Sequence, residues 1–136
     1  MSPKDIPQAY LKKCTSRLKA LKVLEEDENF SDVVRESQEV VELCSKGILR
    51  VALIDPPHRH DVAAELELAK EKFGESLHKR MDDLIRANHW LRREREMAFY
   101  GADDFDPTEG YSKADGDKAF ECALEAVRLL KELLKT

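Results

Sequence analysis

Apolar residues recur at intervals of three and four through almost the whole chain, and no segment sustains the period-two alternation of a strand. That periodicity constrains the fold more than any other feature: the class is all-α. Tyr10, Cys14, Leu18 and Leu21 share one face of a helix over about Pro7 to Glu26, where Pro7 suits the first turn. Asp27, Glu28 and Asn29 break the pattern, and Asn29 or Ser31 can cap a second helix from about Phe30 to Leu53. Its stripe is Val33, Ser37, Val40, Val41, Cys44, Ile48 and Val51.

Pro56 and Pro57 lack N–H groups and cannot continue that helix, so Ile54 to Asp61 is a loop. Asp61 can cap a short third helix through Val62, Leu66, Ala69 and Phe73, and Gly74 stands where it ends. A fourth helix spans about Leu77 to Tyr100, carrying Leu77, Met81, Leu84, Ile85, Leu91, Ala98 and Phe99 with Asn88 and Arg95 on the same side. After an acidic loop, Ser112 to Asp115 resembles a capping box with Asp in place of Glu. The fifth helix, Ala114 to Leu134, presents Ala119, Ala123, Val127, Leu130 and Leu134. Four long amphipathic helices and short connections predict an up-and-down four-helix bundle with an additional short helix.

A chain of 136 residues has room for one domain, 1–136, with a core of about 30–130 preceded by the helix over 7–26. Cys14, Cys44 and Cys122 are odd in number and without a Cys-x-x-Cys, so they read as reduced thiols of the core, not as a disulfide framework. No apolar run reaches the roughly 18 residues of a membrane span, and the first residues lack an apolar leader. The expectation is a cytoplasmic protein with no membrane partner.

Lys and Arg number 23 against 28 Asp and Glu, giving a net charge of −5. That is the wrong sign for general nucleic-acid binding, and no DNA partner is expected; any polyanion must find a local patch. The fourth helix offers one, because Lys79, Arg80, Arg86, Arg92, Arg93 and Arg95 outnumber Asp82, Asp83 and Glu94. Guanidinium groups bind phosphate oxygens bidentately, whereas the plainer use of such a stripe is ion pairing at a solvated face. Arg95 stands apart, since helical spacing turns its stem toward the bundle interior, where a guanidinium needs a partner. Glu36, Glu39, Glu42, a second subunit or a bound phosphate could supply it. Gln38, Glu42 and Lys46 recur at i+4 and read as surface pairing worth a few tenths of a kcal/mol.

Other chemistries find little support. His58 and His60 lack a third ligand at fixed spacing, so no metal is expected; His60 reads as a loop-ordering hydrogen-bond partner and His58 as solvent-facing. Five scattered glycines cannot build a phosphate-cradling loop, and there is no Gly-x-Ser-x-Gly. No cofactor is implied.

Three segments together resemble the HEPN domain family (nucleotide-binding domains of higher eukaryotes and prokaryotes). They are Ser37-Gln38-Glu39-Val40-Val41-Glu42-Leu43-Cys44-Ser45-Lys46, then Pro56-Pro57-His58-Arg59-His60-Asp61-Val62, then Leu91-Arg92-Arg93-Glu94-Arg95-Glu96-Met97-Ala98-Phe99-Tyr100-Gly101. The similarity runs from about Phe30 to Leu130. It implies a bundle that dimerises by laying the second and fourth helices against their copies, and partnership with a minimal nucleotidyltransferase. Many members are metal-independent ribonucleases that use an Arg, a polar neighbour and, four to six positions on, a His.

Arg95 matches that Arg and Glu96 the polar neighbour, but Tyr100 stands where the His belongs. A phenol with a pKa of about 10 is a poor base at neutral pH. The resemblance therefore points to a non-catalytic HEPN dimer, with Arg92, Arg93, Arg95 and Tyr100 at a subunit cleft for nucleotide or polyanion, RNA included. Two alternatives are a ribonuclease toxin of a toxin–antitoxin pair, with Arg95, Glu96 and Tyr100 as its catalytic candidates, and a structural interaction domain in which Glu36 or Glu42 neutralises Arg95.

Overall fold

The computed structural model describes the backbone of residues 5–100 and 110–135, and the side chains of 6–94 and 110–135. Five α-helices follow one another: α1 (Asp5–Glu26), α2 (Phe30–Val51), α3 (Ala63–Lys72), α4 (His78–Tyr100) and α5 (Lys113–Leu133), with one 3₁₀ turn, Glu75–Leu77, leading into α4. No strand occurs among the described residues. The all-α bundle expected from periodicity is what forms.

The boundaries follow local chemistry. Asn29 caps α2, its side chain accepting from the Asp32 N–H at 3.4 Å. Glu28 just before it takes φ 57°, the left-handed conformation that turns the chain between α1 and α2. α2 stops two residues short of Leu53 because Leu53 itself is left-handed, at φ 61°, and the Ile54 N–H reaches back to the Leu49 carbonyl at 2.9 Å. The Ser112 hydroxyl accepts from the Asp115 N–H at 3.2 Å while the Asp115 carboxylate accepts from the Ser112 N–H at 3.0 Å, so the capping box closes with Asp in the place of Glu.

α2 is the hub, packing on α1, α3, α4 and α5. Val33, Val40, Val41, Cys44, Ile48 and Leu49 are at most 1% exposed, each aliphatic side chain among them contributing roughly 1.5–3 kcal/mol by leaving water. Leu21 of α1 and Ala119, Ala123 and Leu130 of α5 complete this side of the core. Close approach is made possible at Gly47, where a Cβ would lie 3.0 Å from Leu130 Cδ2 and 3.2 Å from Tyr10 Cβ. Met81, Leu84, Ile85 and Leu91 seat α4 on the same core, and Val62, Leu66 and Ala69 bury the inner side of α3. Tyr111, buried at 8% exposure, ties the start of α5 to α4 by donating its hydroxyl proton to the Glu94 carbonyl at 2.7 Å. Burial, the nearby Glu94 charge and hydrogen bonding to the Glu94 side chain push its pKa up to about 12.

Cys14 and Cys44 meet at the α1–α2 contact as free thiols, both fully buried. The hydrogen bond from Cys44 lowers the Cys14 pKa, and the same bond together with burial pushes Cys44 well up. The sequence shows them only as distant; helix packing brings them together. Cys122, half-buried on α5, is separate. Among the described residues no helix is long and apolar enough to cross a membrane.

Candidate functional site

α2 has two unlike sides. Its apolar side faces α1 and α5, while Gln38, Glu42 and Ser45, recurring by three and four, run along the side turned to α4 and the 54–62 loop. All three are buried, at 6%, 7% and 0% exposure. The reading of Gln38, Glu42 and Lys46 as a surface ladder is thereby corrected: the loop comes down onto it and leaves Glu42 nearly without solvent.

Buried polar groups persist only when paired. Glu42 accepts from Gln38 Nε2 at 2.9 Å, pairs with Lys46 Nζ at 3.3 Å and holds His60 Nδ1 at 2.9 Å. Ser45 donates to the Val41 carbonyl at 2.7 Å and accepts from Asn88 Nδ2 at 3.0 Å, a direct polar link between α2 and α4. Asn88 also donates to the Leu84 carbonyl at 2.9 Å. One turn further along α4, Arg92 Nη1 lies 3.0 Å from Asp61 Oδ2, with both side chains a little under half exposed. Asp61 Oδ1 accepts from the Ala63 N–H at 3.1 Å, so it caps α3 from one position earlier than the usual place. That backbone hydrogen bond, with Arg92 beside it, holds the Asp61 carboxyl below its ordinary value.

The result is a polar seam, Gln38–Glu42–Ser45–Asn88, whose outer end opens at Lys46, His60, Asp61 and Arg92. A carboxylate only accepts, so His60 donates from Nδ1 and turns Nε2 away from Glu42. The imidazole is held at one edge and is 71% exposed. His60 thus orders its loop as expected, and His58 is exposed.

The basic stripe of α4 does not act as one surface. Arg80 reaches across to Glu132 on α5, Arg86 and Lys79 pair with Asp83, and Arg92 turns to Asp61. Arg93 lines a separate pocket with Trp90, on the outer side of α4. Glu36 and Glu39, considered as partners for Arg95, are engaged by Arg17 of α1, and Glu42 has the three partners given above. The side chains of Arg95, Glu96 and Tyr100 lie outside the described residues.

Among the described residues no group of three His, Cys, Asp or Glu side chains is placed to hold a metal ion. Sequence reasoning missed two things: the shared burial of Gln38 and Glu42, and Trp90, which sits beside Arg93 with the Lys118 ammonium 4.0 Å over its ring centroid. Nothing local signals the first, which depends on the contact of His60 with Glu42 across 18 positions; the second had only a lone Trp three positions before an Arg.

Comparison with known families gives a match of residues 7–133 to the HEPN domain model. Curated proteins and solved structures give no match.

Proposed function

The chain belongs to the HEPN domain family, and from that premise we propose that it works as a non-catalytic dimer that associates with a minimal nucleotidyltransferase and binds nucleotide or polyanion at the α2–α4 crevice. Membership associates the chain with nucleotide- or RNA-related function. The crevice assignment rests on one observation: the α2–α4 seam is polar where packing alone would favour apolar residues, and it ends at Lys46 and Arg92 beside an exposed imidazole. Polar groups buried at a helix seam cost desolvation, and a phosphate at its cationic end gives that cost a use.

Arg92 and Lys46 would hold phosphate oxygens, with Asp61 released from Arg92 on binding. Arg95 and Tyr100, expected at the same cleft, follow Arg92 in α4. Thermal denaturation against a panel of nucleotides and short RNAs tests it, because a ligand of the native state raises the midpoint by mass action. A shift of several degrees that Arg92→Ala removes is the expected outcome; if no ligand moves the midpoint, the crevice reading fails. Co-purification with a nucleotidyltransferase encoded next to its gene tests the partner.

A second reading, the metal-independent ribonuclease, is favoured by the Glu42–His60 contact, which holds by one edge an imidazole of the kind that Tyr100 lacks. RNA cleavage by the purified protein, lost in both His60→Ala and Arg95→Ala, would establish it in place of the first.

A further inference from the structure

The outer side of α4 carries a feature that the crevice does not use. Trp90, the one tryptophan of the chain, is only partly buried, and it opens onto a cavity of ≈ 440 Å³ lined by Arg86, His89, Arg93, Lys118 and Cys122. Trp90 and Arg92 are two positions apart, roughly 160° around the helix, so cavity and crevice lie on different sides of α4. Arg93 is exposed and pairs with no carboxylate among the described residues, nor does Lys118. Arg86 is held by Asp83, the acid of this lining. Three cations against one acid make a positive spot on a protein whose net charge is −5.

We propose that this surface binds a base–phosphate unit: the base stacks on Trp90, and Arg93 and Lys118 take the phosphate. Every nucleobase has a face that stacks on an indole, and a cationic rim supplies the sequence-independent attraction. Lys118 is suited to the exchange, because its ammonium now covers the ring through a weak cation–π contact on a flexible stem. An arriving base displaces it toward the phosphate attached to that base. A cavity of this volume accommodates one nucleotide. An acidic second copy of the chain would match the charge but would leave the indole and its cavity without a flat apolar partner. A free nucleotide and a unit of single-stranded RNA present the same chemistry. This inference goes beyond the crevice reading and stands without it.

Trp90 is its own reporter. Its fluorescence is followed while AMP, UMP or a uridine decaribonucleotide is added to the full-length protein. Saturable quenching is expected, weakened about tenfold by Arg93→Glu and similarly by Lys118→Glu. With two phosphate contacts, raising salt from about 50 to about 200 mM weakens the strand about sevenfold. Quenching by the mononucleotides as strongly as by the decamer assigns a free nucleotide; quenching by the decamer alone assigns RNA. Fluorescence anisotropy of a labelled decamer covers the variant that lacks the reporter: Trp90→Ala loses tenfold or more, whereas Trp90→Phe stays within about threefold.

Absence of quenching overturns the proposal. So does binding that both charge reversals leave unchanged, an outcome that places the ligand elsewhere and leaves the crevice reading standing. Concentration-dependent self-association that quenches Trp90 without ligand also overturns it and assigns the surface to a second copy.

Discussion

Replacing Glu42 is the sharpest test of the polar seam. The carboxylate is 7% exposed and satisfies Gln38, Lys46 and His60 at once. Removing one member of a fully buried ion pair costs about 3–5 kcal/mol, because the other charge is stranded. Here the stranded groups are not equally trapped: the His60 side chain is 71% exposed and is rehydrated, while Lys46 at 20% is rehydrated only in part. What remains is the loss of two charge-assisted contacts and of the Gln38 Nε2 bond to a buried carboxylate, giving about 2–3 kcal/mol for Glu42→Ala. Glu42→Gln keeps an acceptor and loses the charge, for about 1 kcal/mol. Urea unfolding reads this as a fall in midpoint of about 1 M or more at unchanged slope. A double-mutant cycle with Lys46→Met should return a coupling of about 1 kcal/mol. A Glu42→Ala loss below about 0.5 kcal/mol, or no coupling to Lys46, would refute the claim that the seam is an energetic unit.

Other perturbations have equally definite outcomes. Asp61 has a folded-state pKa below the ordinary 3.8, so its contribution is complete above that value and is lost as pH falls through the lowered one; Asp61→Asn should flatten the stability profile between about pH 2 and 5. Tyr111→Phe removes the hydrogen bond to the Glu94 carbonyl and should cost about 1 kcal/mol, and the variant should lose a spectrophotometric ionisation near 12. Gly47→Ala gains about 1 kcal/mol of helix propensity but presses on Leu130 and Tyr10, so a net loss of about 1 kcal/mol is expected by urea unfolding. Leu53→Gly should raise stability by up to about 1 kcal/mol, because a left-handed, 82% exposed leucine carries strain and no packing.

Helices were legible because burial repeats with the helical period. Of the stripe Val33, Ser37, Val40, Val41, Cys44, Ile48 and Val51, all but the half-buried Val51 at its end are buried; side-chain chemistry placed the capping box at Ser112 and narrowed the α2 cap to Asn29 or Ser31, of which Asn29 is used. The site was legible only in outline. Gln38, Glu42 and Lys46 look the same in sequence whether water or a loop covers them; what decides is the tertiary return of His60, a contact across 18 positions. Likewise, six cations on one helix look like a stripe until neighbours are in place. Glu132 takes Arg80 and Asp61 takes Arg92, which leaves Arg93 with Trp90. Short-range pattern reports which residues share a helix face, and the partner on the far side of that face decides their role.

The touching thiols of Cys14 and Cys44 give the molecule an internal clock. A soluble thiol reagent reaches Cys122 from the half-exposed flank of α5, but the inner pair has no exposed atom and gains access only when α1 lifts from α2. Labelling should therefore proceed as one early event followed by two that keep pace with each other. The delay between them measures how firmly the N-terminal helix is held, without denaturant and without any knowledge of what the protein binds.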